Sequence, residues 1–301
     1  MTSSPIAEVS RELLACSGRL QSLAGCSGLA HNLARFVGRL GQRLLRPPRI
    51  VLLGEFNAGK TTLANALIGA EVLPTSIHAN TRVPIHLHYA ERPSFALECC
   101  DRIRRPLTEP TLGLLGSGQG RLLHVGLPVE RLRHFEVIDT PGLASGATHL
   151  DDLVVEACRR ANIAVWCTAS TQAWKASEEA AWSALPRRLH ERGVLVATQA
   201  DALNTDRDRE RLVARLHEEA GPRFAGVAMI AGAAADEIRR HPLRPNYAER
   251  WSACGGETLE LLLQRLIDHE TAARTIAAQR ILARSADRLA GMTALPRAEA
   301  A

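Results

Sequence analysis

Between residues 5 and 46 apolar positions recur every three or four residues, which predicts one or two amphipathic helices. Leu29, Leu33, Phe36, Val37, Leu40 and Leu44 form one stripe, while Arg35, Arg39, Arg43 and Arg46 fall on another face. Pro47-Pro48 then stops the helix. From residue 49 to about 235 the period changes, and short apolar runs alternate with helix-period segments. Strands are expected at 49–53, 83–89, 94–100, 122–127, 135–138, 163–168, 194–198 and 227–230, with later helices at 150–160, 173–185 and 207–219. The stretch 106–120 is rich in Gly, Pro and Ser and is expected to be a loop or short helix. From about 256 to 289 the pattern is helical again, carried by Leu259, Leu262, Leu263, Leu266, Ile267, Ile276, Ile281, Leu282 and Leu289. The expected class is α/β: a mostly parallel sheet with helices on both faces over 48–240. Segments 1–47 and 241–301 are expected to pair as a helical bundle.

Composition changes this picture little. A hydrophobic share of 46% over 301 residues is enough for a core. Acidic and basic residues are mixed along the chain, so the net charge of +5 does not mark an anionic partner. With aromatics at 4%, a base-stacking platform is excluded and no nucleic-acid partner is expected. Seven cysteines without a C-x-x-C pair suit reduced thiols, and no run suggests a signal peptide or a membrane span. That points to the cytoplasm, with a peripheral place at the inner membrane left open. The eleven histidines form no zinc-binding spacing. Trp166, Trp174 and Trp182 are read as packing residues. The arginine face is read as solvated, with an anionic lipid surface as the alternative.

The chemistry concentrates in a few motifs. Only two lysines, Lys60 and Lys175, stand among the 37 basic residues. Lys60 lies in Gly54-Glu55-Phe56-Asn57-Ala58-Gly59-Lys60-Thr61-Thr62, the G-x-x-x-x-G-K-[ST] spacing of a phosphate-binding loop. An apolar run precedes it and a helix-period segment follows. In that context the loop N–H groups and the helix N-terminus face phosphate, Lys60 reaches the β- and γ-phosphates, and Thr61 ligates Mg²⁺. Asp139-Thr140-Pro141-Gly142 follows another apolar run. Asp139 is placed there to hold Mg²⁺ through water, and the Gly142 N–H to meet the γ-phosphate; in isolation the motif is also an ordinary turn. Thr198-Gln199-Ala200-Asp201 follows a third run and approximates the [NT]-K-x-D signature of guanine-selective P-loop proteins. Asp201 would accept from guanine N1–H and the 2-amino group, which adenine lacks. Gln199 stands where lysine is usual and is expected to cover the base with a shorter, neutral stem. A helix cap is the plain alternative for Asp201. Thr81, between the loop helix and the second strand, is a further Mg²⁺ ligand and γ-phosphate sensor.

Taken together, Gly54–Leu63, Leu73-Pro74-Thr75 leading to Thr81-Arg82-Val83-Pro84, and Ile138-Asp139-Thr140-Pro141-Gly142-Leu143 resemble the dynamin-like GTPases, particularly the bacterial branch. The resemblance covers about 49–235. It implies hydrolysis of GTP to GDP and phosphate with Mg²⁺, coupled to assembly through the GTPase domain as a homodimer or hetero-assembly, or to a membrane surface. It also implies a backbone contact to the guanine oxygen near Ala231-Gly232, where the usual serine is absent. The helical segments are expected to suffice for a bundle or neck rather than a full stalk. Leu143 occupies the place where Ras-type proteins carry a water-orienting glutamine, which dynamins lack too, so other groups must complete hydrolysis. Asn57 matches the loop asparagine of potassium-activated GTPases, which helps hold K⁺ in place of an arginine finger; a purely supporting role in the loop is the alternative. Two other functions stay open at this level: a low-turnover GTP-binding scaffold, and an RNA- or ribosome-associated GTPase.

Overall fold

The computed structural model describes residues 5–22, 28–70, 83–108, 120–143 and 148–294. Thr81 and the 71–82 segment around it lie outside the described residues. The chain divides into two compact units, Met1–Pro47 with Asp268–Ala301, and Pro48–Ile267.

The larger unit is built on a sheet. Its strands are β1 (Arg49–Leu53), β2 (Ile85–Tyr89), β3 (Ser94–Cys99), β4 (Arg104–Leu107), β5 (Gly120–Leu127), β6 (Glu136–Asp139), β7 (Ile163–Ala169), β8 (Gly193–Thr198) and β9 (Gly226–Met229). Among the described residues they form one sheet in the order β4-β3-β5-β2-β6-β1-β7-β8-β9. From β6 to β9 all neighbours are parallel. Beyond β6 the sheet turns mixed: β2 is antiparallel to β6, β5 parallel to β2, and β3 and β4 antiparallel to their inner neighbours. Parallel strands need crossovers, and helices supply them: α4 (Thr148–Arg160) from β6 past β1 to β7, α5 (Ala176–Ser183) and α6 (Arg187–His190) before β8, and α7 (Asp206–Glu219) before β9. The loop helix α3 (Lys60–Ile68) follows β1 directly and ends at Gly69, whose φ of 80° closes the last turn with an N–H bond to the Asn65 carbonyl.

The central strand β1 shows why the sheet is covered on both sides. Ile50 and Leu52 enter one core with Leu63, Leu67 and Val137. Val51 and Leu53 enter the other with Trp166, Trp182 and Ile138. A strand with four consecutive buried apolar residues can rest only between two helical layers. In the second core the three tryptophans pack as expected. Trp166 meets Trp174 and Trp182 edge-on, and Trp182 stacks on Phe224 with centroids 4.3 Å apart.

The strand β4 falls in a stretch read partly as loop. Its Arg104-Arg105-Pro106-Leu107 has no apolar alternation, and it is the edge strand, where proline is tolerated. Helices α8 (Gly232–Arg240) and α9 (Tyr247–Ala253) add to those expected from the sequence. Residues 241–267, read from the pattern with the C-terminal segment, pack on the sheet through Trp251, Leu259, Leu263 and Ile267.

A buried row of polar side chains crosses the mixed half of the sheet. Glu136 Oε2 accepts from Arg49 Nε at 2.6 Å and pairs with His86 Nε2 at 2.9 Å. His86 Nδ1 lies 3.0 Å from His124 Nδ1, and His124 Nε2 lies 3.3 Å from Glu98 Oε2. Arg160, the last residue of α4, closes the row with bonds of 2.6 and 2.8 Å to both Glu98 oxygens. Every polar end is met, which is what such a row needs in a core.

The smaller unit contains α1 (Pro5–Ser22), α2 (Gly28–Leu44) and the later part of α10 (Gly256–Ala294). Val9, Leu13, Cys16 and Leu20 of α1 meet Ala34, Val37 and Leu44 of α2, with Ala278 of α10. Phe36, expected in the apolar stripe, is instead 50% exposed. The contact line is shifted toward small residues. A Cβ on Gly38 would lie 2.8 Å from Ser17 Oγ, and one on Gly41 3.1 Å from Leu14 Cγ. That closeness lets Ser10 and Ser17 donate across to the carbonyls of Gly41 and Ala34, each at 2.8 Å. Arg274 of α10 caps the end of α2 by donating to the carbonyls of Arg43 and Arg46 at 2.6 and 3.1 Å. Arg35, Arg39, Arg43 and Arg46 are exposed.

Candidate functional site

At the carboxyl ends of β1, β6, β7 and β8 the predicted motifs converge. This is the point where the chain, after β1, first builds one side of the sheet and then the other. The loop leaving β1 needs three unusual backbone conformations: Gly54 at φ 139°, Asn57 at φ 60° and Gly59 at φ 72°. At Gly54 a Cβ would sit 2.1 Å from the Cys167 carbonyl oxygen, so only glycine lets the loop lie against β7. Gly142 is equally constrained, since a Cβ there would come within 2.7 Å of the Phe56 Cα. The Asp139–Leu143 turn therefore lies on the loop, and the Leu143 N–H donates to the Gly54 carbonyl at 3.2 Å. Thr140 anchors it from below by donating to Leu52 O at 2.6 Å.

Lys60 is 7% exposed, and its Nζ donates to the carbonyls of Gly54 and Glu55 at 3.1 and 2.7 Å. Burial pulls its ammonium below the usual lysine range, while nearby Asp139 opposes the shift. Thr61 Oγ1 donates to Asp139 Oδ2 at 2.7 Å, and Asp139 is 4% exposed. An alcohol and a buried carboxylate this close form an all-oxygen donor set suited to a hard divalent cation such as Mg²⁺.

Thr198 is held against the loop. Its hydroxyl lies 2.9 Å from Ala58 O and 3.2 Å from Thr168 O, shared between the two carbonyls, and ties the loop to the ends of β7 and β8. Gln199 takes φ 56°, and its Nε2 donates to the Asn57 carbonyl at 2.8 Å. The Gln199 amide thus tethers the Thr198–Asp201 segment to the loop. Asp201 follows, exposed, in a turn at Ala200–Ala202. The Ala200 N–H donates to Ile230 O, which joins this turn to the end of β9. The Ala231 N–H is engaged by Cys254 O at 2.9 Å. Gly232 opens α8, and a Cβ there would lie 3.5 Å from Thr62 Cγ2, so Thr62 and Gly232 adjoin. Phe56 is 65% exposed at the loop tip.

Lys175 and Ser177 belong to no sequence motif. Lys175 Nζ pairs with Glu55 Oε2 at 2.8 Å, and Ser177 Oγ donates to Glu55 Oε1 at 2.7 Å. The signal available in the sequence was the rarity of lysine.

A glycine-shaped loop at a helix N-terminus, a lysine folded on it, and a threonine–aspartate pair beside it define a P-loop domain of the GTPase fold. Residues 50–112 match the model of the dynamin family. The chain is 29% identical over 166 residues to Dynamin-like protein 2 of Campylobacter jejuni, covering 52% of this chain and 26% of the relative. It is 32% identical over 114 residues to the isoniazid-induced protein IniC of Mycobacterium tuberculosis, covering 36% and 23%. A chain of an oligomerised bacterial dynamin pair, described as sensing and tethering membranes, superposes with a TM-score of 0.66 at 15% identity, over 95% of this chain and 47% of that one. The bacterial dynamin GTPase LeoA gives 0.52 at 15% identity, with the same coverages. Residues 50–112 are dynamin-like in sequence, and the fold of the chain is that of the bacterial dynamins. The chain spans roughly a quarter of these curated relatives and about half of these solved chains.

Proposed function

We propose that this chain binds GTP with Mg²⁺ and hydrolyses it to GDP and phosphate, with turnover controlled by dimerisation of the GTPase domain. The observation that carries the reading is the 2.7 Å contact of Thr61 with buried Asp139 beside Lys60, at the N-terminus of α3. Loop amides and the helix end supply partial positive charge to the phosphates, and Lys60, freed from the Gly54 and Glu55 carbonyls, supplies a full one. Thr61 and, through water, Asp139 would hold Mg²⁺, with Thr81 as a further ligand; the ion neutralises charge on the β- and γ-oxygens. Asp201 reads the guanine edge, and Gly232 at the start of α8 offers the base a backbone N–H. Asn57 at the loop tip helps hold K⁺ where a second subunit closes the site. Assembly and a membrane surface are carried over from the tethering dynamin pair as part of this proposal. No described helix is long and apolar enough to cross a membrane. Phosphate release from GTP and from ATP tests the reading. GTP turnover that vanishes in Lys60→Ala supports it, and equal rates with the two nucleotides count against guanine selection.

A further inference from the structure

A carboxylate is an odd neighbour for a polyanion, yet Glu55 stands inside the phosphate loop. Both of its oxygens are taken, Oε2 by Lys175 and Oε1 by Ser177, and its carbonyl holds Lys60 Nζ at 2.7 Å. We propose that Lys175 is a positioning residue for the nucleotide: it neutralises and pins Glu55, so that the loop presents its amides to phosphate without a repelling charge beside them. This rests on the nucleotide reading above.

The delivery of Lys175 supports the assignment. Trp174, just before it, takes φ 60°, a costly conformation for a bulky aromatic residue. The kink is held from both sides. Trp174 is 7% exposed and its ring meets Phe224 at 5.3 Å, while its backbone N–H donates to Thr168 Oγ1 at 3.1 Å. The Lys175 N–H donates to Glu178 Oε2 at 2.9 Å, and Glu178 is 1% exposed. The backbone is thus fixed on either side of one lysine, whose stem crosses to the loop. Together the two side chains line a cavity of about 220 Å³ with Phe56, Asn57, Gln172 and Gln199, so an unpinned Glu55 has room to turn. The Lys175 hydrogen bond, followed by that of Ser177, holds the Glu55 carboxyl below the usual carboxylate range. With 42% of the Lys175 side chain exposed, the pair adds little to fold stability. Its effect belongs on nucleotide affinity, where each added charge faces several phosphate charges.

The test is titration of fluorescent GDP and GTP, with Mg²⁺, into the full chain and three variants. Lys175→Met is expected to weaken binding about tenfold, and GTP more than GDP, because the third phosphate adds charge. Lys175→Arg, which keeps the charge, and Glu55→Gln/Lys175→Met, which removes the repulsion, are expected within about threefold of the parent. A shared melting temperature across the set excludes a folding effect. Parent-like affinity in Lys175→Met, or a double variant no tighter than the single one, overturns the proposal. A parent that binds neither nucleotide overturns the nucleotide reading itself.

Discussion

Lowering the pH from 7.5 to 5.0 should destabilise the sheet unit through its buried histidine pair, and the magnitude can be worked out. Burial, followed by the charges of His86 and Arg104, pushes His124 down to about 3, against the pull of Glu98. Burial lowers His86 as well, against Glu136. The geometry agrees with the direction: a 3.0 Å gap between two Nδ1 atoms holds one proton, so the rings cannot both be cations without parting. A group with a depressed folded pKa is proton-free in the native state while the unfolded chain takes the proton. Its contribution is therefore present above pH 6.5 and is lost as pH falls from 6.5 toward 3. For His124 the loss at pH 5.0 is about 2 kcal/mol, from 1.5 pH units at 1.36 kcal/mol each. Glu98 and Glu136 do not obscure this window. The Arg160 hydrogen bond holds Glu98 at about 2. Burial alone would raise Glu136, but His86 and Arg49 bring it to about 2. Their contributions are lost only below about pH 4.5, the unfolded value. Urea unfolding followed by tryptophan fluorescence reads the right unit, because Trp166, Trp174, Trp182 and Trp251 all lie within Pro48–Ile267. The unfolding free energy should fall by about 2 kcal/mol, and His124→Gln should remove most of the fall. An unchanged midpoint between pH 7.5 and 5.0, or a fall that persists in full in His124→Gln, would refute the reasoning.

Lys60→Ala should abolish nucleotide binding and leave the tryptophan-detected melt intact; near-native affinity for fluorescent GDP would show the loop assignment to be wrong. Asp201→Asn should weaken GTP by one to two orders of magnitude without gaining ATP, since an amide turns a donor toward guanine's donors; competition titration checks it. Turnover should be faster in K⁺ than in Na⁺ and should rise with protein concentration, and Asn57→Ala should remove the salt difference; flat specific activity in both salts refutes it. In the helical unit, Gly41→Leu meets Leu14, Leu13 and the Ser10 carbonyl within 3.3 Å and should cost about 1–3 kcal/mol. Circular dichroism should detect this loss while tryptophan fluorescence of the sheet unit stays unchanged.

How far the sequence could be read depended on what each feature requires. Strands such as β8, buried at every position, leave an aliphatic run that nothing else explains. The edge strand β4 leaves none, because pairing on one side alone selects neither apolar alternation nor against proline. Helix α8, written Gly-Ala-Ala-Ala-Asp-Glu-Ile-Arg-Arg, buries Gly232, Ala235, Asp236 and Ile238, so only one large apolar side chain lies on its packed face and no run of them repeats. Periodicity found α2 but set its buried face wrongly at Phe36. Helices that touch through glycine and serine bring their backbones together, so the contact line follows the smallest residues, not the largest. The site divides in the same way. The phosphate loop, Asp139 and Thr198 are local patterns, each fixed by the few residues around it. The partnership of Glu55 and Lys175 spans 120 residues and depends on a kink at Trp174 that no local rule announces. What the sequence did retain was the choice of residue. A chain that uses arginine nearly everywhere keeps lysine at two positions, and both ammonium groups bond to Glu55, one at its carbonyl and one at its carboxylate. A guanidinium is a planar fork, and an ammonium is a compact point charge. At Lys60, 7% exposed between the Gly54 and Glu55 carbonyls, the compact shape is the one that fits, while at Lys175, 42% exposed, it is the charge beside Glu55 that counts.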